Sequence, residues 1–158
     1  MHDSVEQNSE QGYSVPEAQM MAQPKQELPQ VAWLCNRKNQ HRRSLKLARL
    51  FDDDGIKICV MDSERRLPEH MLSFDLIILE MNRWDLEDLT HVLRTIRMKC
   101  HVPLLVMLPH RAAECTLETL EAGADAAITM AAPAEVIFAR SKALLRRWQP
   151  HTKSTSVL

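Results

Sequence analysis

The stretch Phe74-Asp-Leu-Ile-Ile-Leu-Glu-Met-Asn82 decides how the rest of the chain is interpreted. Four consecutive apolar residues, Leu76 to Leu79, follow Asp75 and lead into a single acid, Glu80. A short unbroken apolar run between polar residues predicts a strand that is covered on both faces, as strands in parallel sheets are. Functional groups in such sheets lie at the carboxyl ends of the strands. Glu80 is therefore a candidate site residue.

Four further apolar runs predict the other strands of the sheet: Val31–Cys35, Ile56–Met61, Val102–Leu108 and Ala126–Met130. A loop and a helix are predicted over 36–51, and further helices over 85–98, 112–122 and 133–148. The segment 63–71 is predicted to form at most a short helix, because Pro68 lies inside it. Strands that alternate with helices predict βαβ units and a parallel sheet. The predicted fold is α/β, a flavodoxin-like (βα)5 three-layer sandwich with a parallel sheet in the order 2-1-3-4-5.

The spacing of apolar residues predicts which helix faces are buried. In the first helix the predicted core residues are Leu45, Ala48 and either Leu47 or Phe51. In the helix over 85–98 they are Leu86, Leu89, Val92, Leu93 and Ile96.

The composition predicts one domain with a tail at each end. The chain has 158 residues and a net charge of −1, and residues 1–30 carry five acids and one lysine, or −5 + 1 = −4. This polar segment cannot bury enough apolar surface to fold, so 1–30 is predicted to be a disordered acidic tail. The domain is predicted over 31–148, and 149–158 is a C-terminal tail or the start of a linker.

The sequence predicts a cytoplasmic protein without a metal or other cofactor. No apolar run is long enough to span a membrane, and the N-terminus lacks the pattern of a signal peptide. The four cysteines are widely spaced, with no Cys-x-x-Cys pair, which favours reduced, buried thiols. The dispersed histidines have no metal-binding spacing with an acid partner.

Four segments resemble a response-regulator receiver domain, and the resemblance covers about 31–148. They are Phe74–Glu80, Val102–Leu108, Gly123–Thr129 and Ala139–Arg147. The last segment is most similar to the subfamily whose receivers precede winged-helix DNA-binding domains. The resemblance implies a protein of two-component signal transduction, with a role in regulating transcription.

The resemblance also implies a phosphotransfer site whose metal-binding half is changed here. A working receiver phosphorylates an Asp at the end of the third strand, and two acids after the first strand hold Mg²⁺, which prefers oxygen ligands. The phosphoacceptor position is Glu80, and the acid-pair positions are Asn36 and Arg37. The longer Glu80 side chain displaces the carboxylate, and an arginine repels the metal.

The switch positions have changed as well. The resemblance implies a hydroxyl residue after the fourth strand, an aromatic residue on the fifth and a lysine after it. These positions fall on Leu108 (or Pro109, if the register slips), Ala127 and Met130. Losing every active-site residue together predicts an atypical, phosphorylation-independent receiver that is not an enzyme.

Glu80 has two interpretations. It either mimics a phosphorylated aspartate and pairs with Arg37, or it is a strand-end acid that is solvated or capped. Leu108 and Met130 are expected to line the pocket that holds the phosphoryl group in a working receiver, and to make that pocket apolar here.

The first helix and the loop before it form a candidate face for an anionic partner. Its cations are Arg37, Lys38, Arg42, Arg43, Lys46 and Arg49, with no acid among them. Such a run can attract nucleic acid or an acidic protein surface, or the acidic tail of the same chain. A solvated surface is the alternative, and no aromatic residue is interleaved for base stacking.

A homodimer is predicted through the fourth predicted helix, the fifth strand and the fifth helix, because acidic and basic residues on these elements can pair across a two-fold axis. The candidate residues are Arg111, Glu114, Glu118, Glu121, Ile137, Phe138, Arg140 and Leu145. The three apolar ones are expected to exceed what one buried stripe needs.

The sequence therefore favours a receiver-like module that acts by protein–protein contact. Two rivals remain open: a receiver still phosphorylated on Glu80 or Asp85, and a nucleic-acid-binding adaptor that uses the basic first helix.

Overall fold

The structure is a computed structural model and describes residues 28–35, 42–62, 73–81, 86–109 and 113–148. The strands are β1 Gln30–Cys35, β2 Lys57–Asp62, β3 Leu76–Glu80, β4 Leu104–Leu108 and β5 Ala126–Thr129. The helices are α1 Arg42–Asp53, α2 Leu86–Lys99, α3 Thr116–Glu121 and α4 Ala134–Trp148, and a 3-10 turn at Ala113–Cys115 precedes α3. The helix predicted over 63–71 lies outside the described residues, so the last helix is α4.

The five strands form one parallel sheet in the order β2-β1-β3-β4-β5, which confirms the predicted topology. The central strand, β3, pairs with β1 on one side, where Ile78 lies opposite Trp33, and with β4 on the other. The apolar run of β3, Leu76 to Leu79, is fully buried, as expected for a strand that is covered on both faces. None of the described helices is long and apolar enough to cross a bilayer.

Each face of the sheet carries its own apolar cluster, because successive side chains of a strand point to opposite faces. Leu76 and Ile78 belong to the cluster that includes residues of α1 and α4. Ile77 and Leu79 belong to the cluster that includes residues of α2.

The buried faces of α1 and α2 can be compared with the faces that the sequence predicts. In α1, Leu47 and Phe51 are buried four residues apart, whereas Leu45 is 67% exposed. The prediction of Leu45 as a core residue is therefore wrong, since the stripe set by Leu47 and Phe51 leaves it on the opposite side. In α2 the prediction is confirmed for Leu89, Leu93 and Ile96, which are fully buried. Val92 packs partly buried against the same cluster, and the side chain of Leu86 lies outside the described part of the structure.

Helices α1 and α4 pack against each other through an aromatic pair. The rings of Phe51 and Phe138 meet edge to face, with centroids 5.2 Å apart at 81°. The Lys142 ammonium lies 5.5 Å from the Phe138 centroid and 3.0 Å from Asp54 Oδ2. The contact therefore combines ring packing, a cation–π contact and an ion pair.

Two aspartates form hydrogen bonds to the neighbouring strand at the amino-terminal edge of the sheet. Asp75 donates its N–H to Gln30 O and accepts from Gln30 N at Oδ2, both at 2.8 Å. Asp125 does the same with Leu104, at 2.9 Å through its own N–H and 2.8 Å at Oδ2. Each aspartate lies just before a strand and pairs with both backbone groups of the first residue of its neighbour.

Arg97, near the end of α2, joins three segments at the same edge. Its Nε donates to Gly123 O and its Nη1 to Val102 O, each at 2.6 Å. Its Nη2 pairs with the Asp125 carboxylate, which also holds the start of β4. The planar guanidinium thus ties α2 to the residues before β4 and β5, a fork geometry that lysine cannot reproduce.

We expect Gly123→Ala to lower the free energy of unfolding by about 1–3 kcal/mol, the typical cost of forcing a side chain into a backbone region reserved for glycine. Gly123 has φ +123°, and an added Cβ would lie 2.6 Å from Arg97 Cγ. Urea unfolding followed by circular dichroism measures the loss.

Gly55→Ala is the matched control for this substitution. Gly55 also has a positive φ, +72°, but an added Cβ there would meet only Leu28 Cδ2, at 3.9 Å. Gly123→Ala should therefore be the more damaging of the two. Equal losses would mean that the close approach of Arg97 contributes nothing.

Candidate functional site

The carboxyl-terminal edge of the sheet brings together several residues that the sequence singled out. Glu80 ends β3 and Leu108 ends β4. The backbone continues the pairing past both strands, since Met81 N donates to Met107 O at 3.0 Å and Met130 N donates to Leu108 O at 2.7 Å. Glu80, Leu108 and Met130 therefore lie at one edge, as predicted.

The Glu80 side chain is held by a tryptophan of the neighbouring strand. Trp33, in β1, is only 2% exposed and packs in the cluster on the α1 and α4 side. Its Nε1 donates to Glu80 Oε1 at 2.9 Å. A hydrogen bond to an ionised acceptor is stronger than one between neutral groups. The Trp33 indole therefore caps one oxygen of this strand-end acid, and the pairing of Glu80 with Arg37 stays a prediction.

Leu108 and Met130 do not line a common pocket, and this expectation is wrong. Leu108 is buried in the cluster on the α2 side, whereas Met130 packs against the cluster on the α1 and α4 side. Ala127 is half-buried against the same cluster as Leu108. The alternation of side chains along the strands separates residues that are adjacent at the backbone level.

Several predicted positions lie outside the described residues: Asn36, Arg37, Lys38, Asp85 and Arg111. The predicted pairing of Glu80 with Arg37 is among the expectations that fall there.

The described side chains at this edge do not fit a magnesium site. Mg²⁺ needs several oxygen ligands in an octahedron. Leu108 and Met130 supply no side-chain oxygen, and one oxygen of the Glu80 carboxylate accepts the indole N–H. Within the residues that the structure describes, no group of three or more His, Cys, Asp or Glu side chains is placed to hold a metal ion.

Comparison with known proteins finds relatives in structure but not in sequence. No protein-family model matches the chain, and no curated protein matches it. Among solved structures, a two-component response regulator from Clostridium difficile superposes with a TM-score of 0.62 and 22% identity, over 77% of this chain and 99% of that one. The receiver domain of the TMAO respiratory system response regulator TorR gives 0.66 and 24%, over 77% and 99%. Full-length FixJ from B. japonicum gives 0.57 and 17%, over 80% and 62%.

The chain has the receiver fold. With five parallel strands in this order, Glu80 lies at the carboxyl end of the central strand of that fold.

The apolar residues predicted for a dimer face of the receiver fold are used inside the protomer, which corrects that expectation. Ile137 is fully buried, and Leu145 is 5% exposed in the same cluster. Phe138 packs edge to face on Phe51. The reason is that α4 buries a wide stripe against both the sheet and α1, so the three residues are not in excess.

The acidic residues predicted for that face turn out to border a groove between α2 and α3. Glu114, in the 3-10 turn, is exposed. Glu118 and Glu121 line the groove, of about 590 Å³, with residues of α2 that include Glu87, His91 and Arg94. Arg140, on α4, is exposed.

The basic face predicted on the first helix is partly neutralised. Lys46 forms an ion pair with Glu135, at the start of α4. Hydrogen bonding from Lys46 lowers the pKa of the Glu135 carboxyl group below its ordinary value. The pair therefore stabilises the fold above the ordinary carboxyl pKa and is lost as the pH falls through the lowered value. Arg49 is exposed, and the backbone of Arg42 and Arg43 forms the first turn of α1.

Sequence reasoning missed Trp33 and Arg97. Trp33 was seen only as part of an apolar run, although its parity in β1 matches that of the core residues Val31 and Cys35. Its partner Glu80 follows from the register, which places Trp33 opposite Ile78, two residues before the acid. Arg97 carried no local signal, because its partners lie 5 to 28 residues further along the chain.

Proposed function

We propose that this protein is a phosphorylation-independent receiver-like signalling module that acts through protein–protein contact and is not an enzyme. The observation that carries the proposal is the hydrogen bond from the buried Trp33 indole to Glu80 at the end of the central strand. This acid occupies the position that the receiver resemblance assigns to the phosphoacceptor.

Positioning supplies most of the catalysis in phosphoryl transfer. Glutamate is one methylene longer than aspartate, and the indole draws its carboxylate toward the α1 and α4 face. At the positions that the resemblance assigns to the hydroxyl and the lysine, Leu108 and Met130 offer neither a hydroxyl nor a cation to a phosphoryl group. These features support a carboxylate that fixes one conformation instead of one that is modified.

A homodimer through α3, β5 and α4 belongs to the same proposal, with a revised apolar patch. Leu117 and Leu120, on α3, and Val136, on α4, are exposed large apolar side chains. We expect these three side chains to form one patch, because a contiguous exposed apolar surface marks an interface. Glu114, Glu118 and Glu121 supply acids, and Arg140 a base, for pairing across the two-fold axis.

The proposed setting is the cytoplasm, as part of a pathway that regulates transcription. None of the four cysteines, all of which lie in the described ranges, forms a disulfide, and Cys35 and Cys100 are buried, which fits a reducing compartment. The receiver fold of the FixJ and TorR structures supports the signalling role.

Light scattering after size exclusion, with and without Mg²⁺ and beryllofluoride, tests the proposal. We expect a mass that neither additive changes, because no phosphoryl analogue binds. The matched variant is Glu80→Asp, which restores the shorter acid and should remain unresponsive since Leu108 and Met130 are unchanged. A wild-type monomer that dimerises only with both additives would refute phosphorylation independence. A monomer under all conditions would refute the homodimer alone.

A further inference from the structure

The described chain starts beside the basic end of the last helix. Leu28 and Pro29 line a cleft of about 250 Å³ together with Lys142, Leu145 and Arg146 of α4. Pro29 is fixed there because its carbonyl accepts from Lys57 N at 2.9 Å. The acidic segment that precedes Leu28 therefore joins the domain next to the cations of α4.

Helix α4 presents cations that nothing in the described structure neutralises. Arg140, Arg146 and Arg147 are exposed and form no ion pair within the described part of the chain. Lys142 differs, because Asp54 already pairs with it. Three guanidinium groups are thus available on the outer surface of one helix.

Exposed apolar side chains accompany these cations, one at the end of α4 and one in the cleft. Trp148, at the end of α4, is 45% exposed, and Leu28 is 60% exposed. Arginine and tryptophan side chains together suit a partner that carries both carboxylates and apolar groups.

The segment 1–27 has that composition. It holds Asp3, Glu6, Glu10, Glu17 and Glu27 against a single Lys25, or −5 + 1 = −4. Between its acids it carries apolar residues, among them Val5, Tyr13, Val15, Met20 and Met21. A chain of 27 residues can reach any point on α4, whose 15 residues span about 22 Å at the rise of an α-helix.

We propose that residues 1–27 dock on the outer face of α4, with their acids on Arg140, Arg146 and Arg147. The attachment at Leu28 makes the contact intramolecular, with an effective concentration on the order of millimolar for a short linker. Asp52 and Asp53 are exposed at the end of α1. Their negative charge disfavours docking of the acidic segment on the end of α1.

This inference does not depend on phosphorylation independence. It gives the acidic segment a regulatory task, since docking covers Arg140, which the proposed dimer also uses. A second copy and residues 1–27 therefore compete for the same cations.

NMR spectra of the uniformly ¹⁵N-labelled full chain test the proposal, recorded at about 0.02 M and about 0.5 M NaCl because salt screens exposed charges. We expect amide signals of residues 1–27 and 140–148 to move between the two salt concentrations. This movement should be lost in two variants. One is a tail variant that carries Asp3→Asn, Glu6→Gln, Glu10→Gln, Glu17→Gln and Glu27→Gln, and the other is Arg146→Gln/Arg147→Gln. Arg94→Gln, an exposed arginine of α2 beneath the opposite face of the sheet, is the matched control and should keep it.

The possible results distinguish residues 1–27 from a second copy of the chain or a nucleic acid as the group bound to the outer face of α4. If the α4 signals of the wild type and of the tail variant superimpose at low salt, the docking is refuted. If the shifts fade on about tenfold dilution, the occupant is a second copy, since an intramolecular contact is independent of concentration. If a short DNA duplex shifts the α4 signals equally in both proteins, the segment does not occupy the face and the proposal fails.

Discussion

Replacing Trp33 by alanine should lower the free energy of unfolding by about 3–5 kcal/mol, the usual cost of removing a large aromatic side chain from a core. Trp33 is among the largest buried side chains, and it packs from β1 into the apolar cluster that includes residues of α1 and α4. The substitution leaves a cavity and also removes the donor to Glu80. Urea unfolding followed by far-ultraviolet circular dichroism measures the change without depending on tryptophan fluorescence.

Trp33→Phe separates the hydrogen bond from the packing. Phenylalanine keeps most of the buried ring but cannot donate to Glu80, so we expect a loss of about 1–3 kcal/mol, the typical cost of removing one hydrogen-bond partner from a covered polar group. In a Glu80→Met background the same substitution should cost less, because the Trp33–Glu80 hydrogen bond is then already absent. Equal costs in the two backgrounds would show that the Trp33–Glu80 hydrogen bond does not contribute to stability.

Replacing Arg97 by alanine should lower the free energy of unfolding by about 2–4 kcal/mol, because hydrogen bonds to charged groups contribute about 1.5–3 kcal/mol and their loss strands the partners. Three acceptors lose their donor: Gly123 O, Val102 O and the Asp125 carboxylate. Arg97 and Asp125 are mostly covered, so solvent screens the pair less than an exposed one. Thermal and urea unfolding should both report the loss.

Two companion variants define what Arg97 contributes. Arg97→Lys should recover only part of the stability, since an ammonium group cannot reach the three acceptors in one plane. Arg94→Ala, which removes an exposed arginine from the same helix, should change stability by no more than about 0.5 kcal/mol. If Arg94→Ala and Arg97→Ala were equally damaging, the hydrogen bonds and ion pair of Arg97 would not explain the loss.

The sequence predicts the sheet well because each strand carries its own signal. The apolar run of β3 and the breaks at Gly55 and Gly123 mark strands and connections locally, and parallel pairing then follows from the alternation of strands and helices. The exposed Leu45 shows the limit of this reasoning. In a short helix two apolar stripes can compete, and tertiary packing on the sheet selects the one with Leu47 and Phe51.

The candidate site could be located but not assembled from the sequence. Glu80 and Leu108 were placed at the correct edge because strand ends are local features. The contact between Glu80 and Trp33 joins residues 47 positions apart, and it depends on register and side-chain direction together. The same dependence explains why Ile137 and Leu145 were assigned to a surface although the packing of α4 on α1 buries them.

The hydrogen bonds of Asp75 and Asp125 affect which parts of this sequence can change without loss of the fold. They fix the strand starts at one end of the sheet, whereas Glu80 and Leu108 lie at the other end. Pairing of the strand starts therefore does not depend on the candidate site residues at the other end. Exposed positions at the carboxyl ends can change while this pairing persists, so the same sheet can support different binding surfaces.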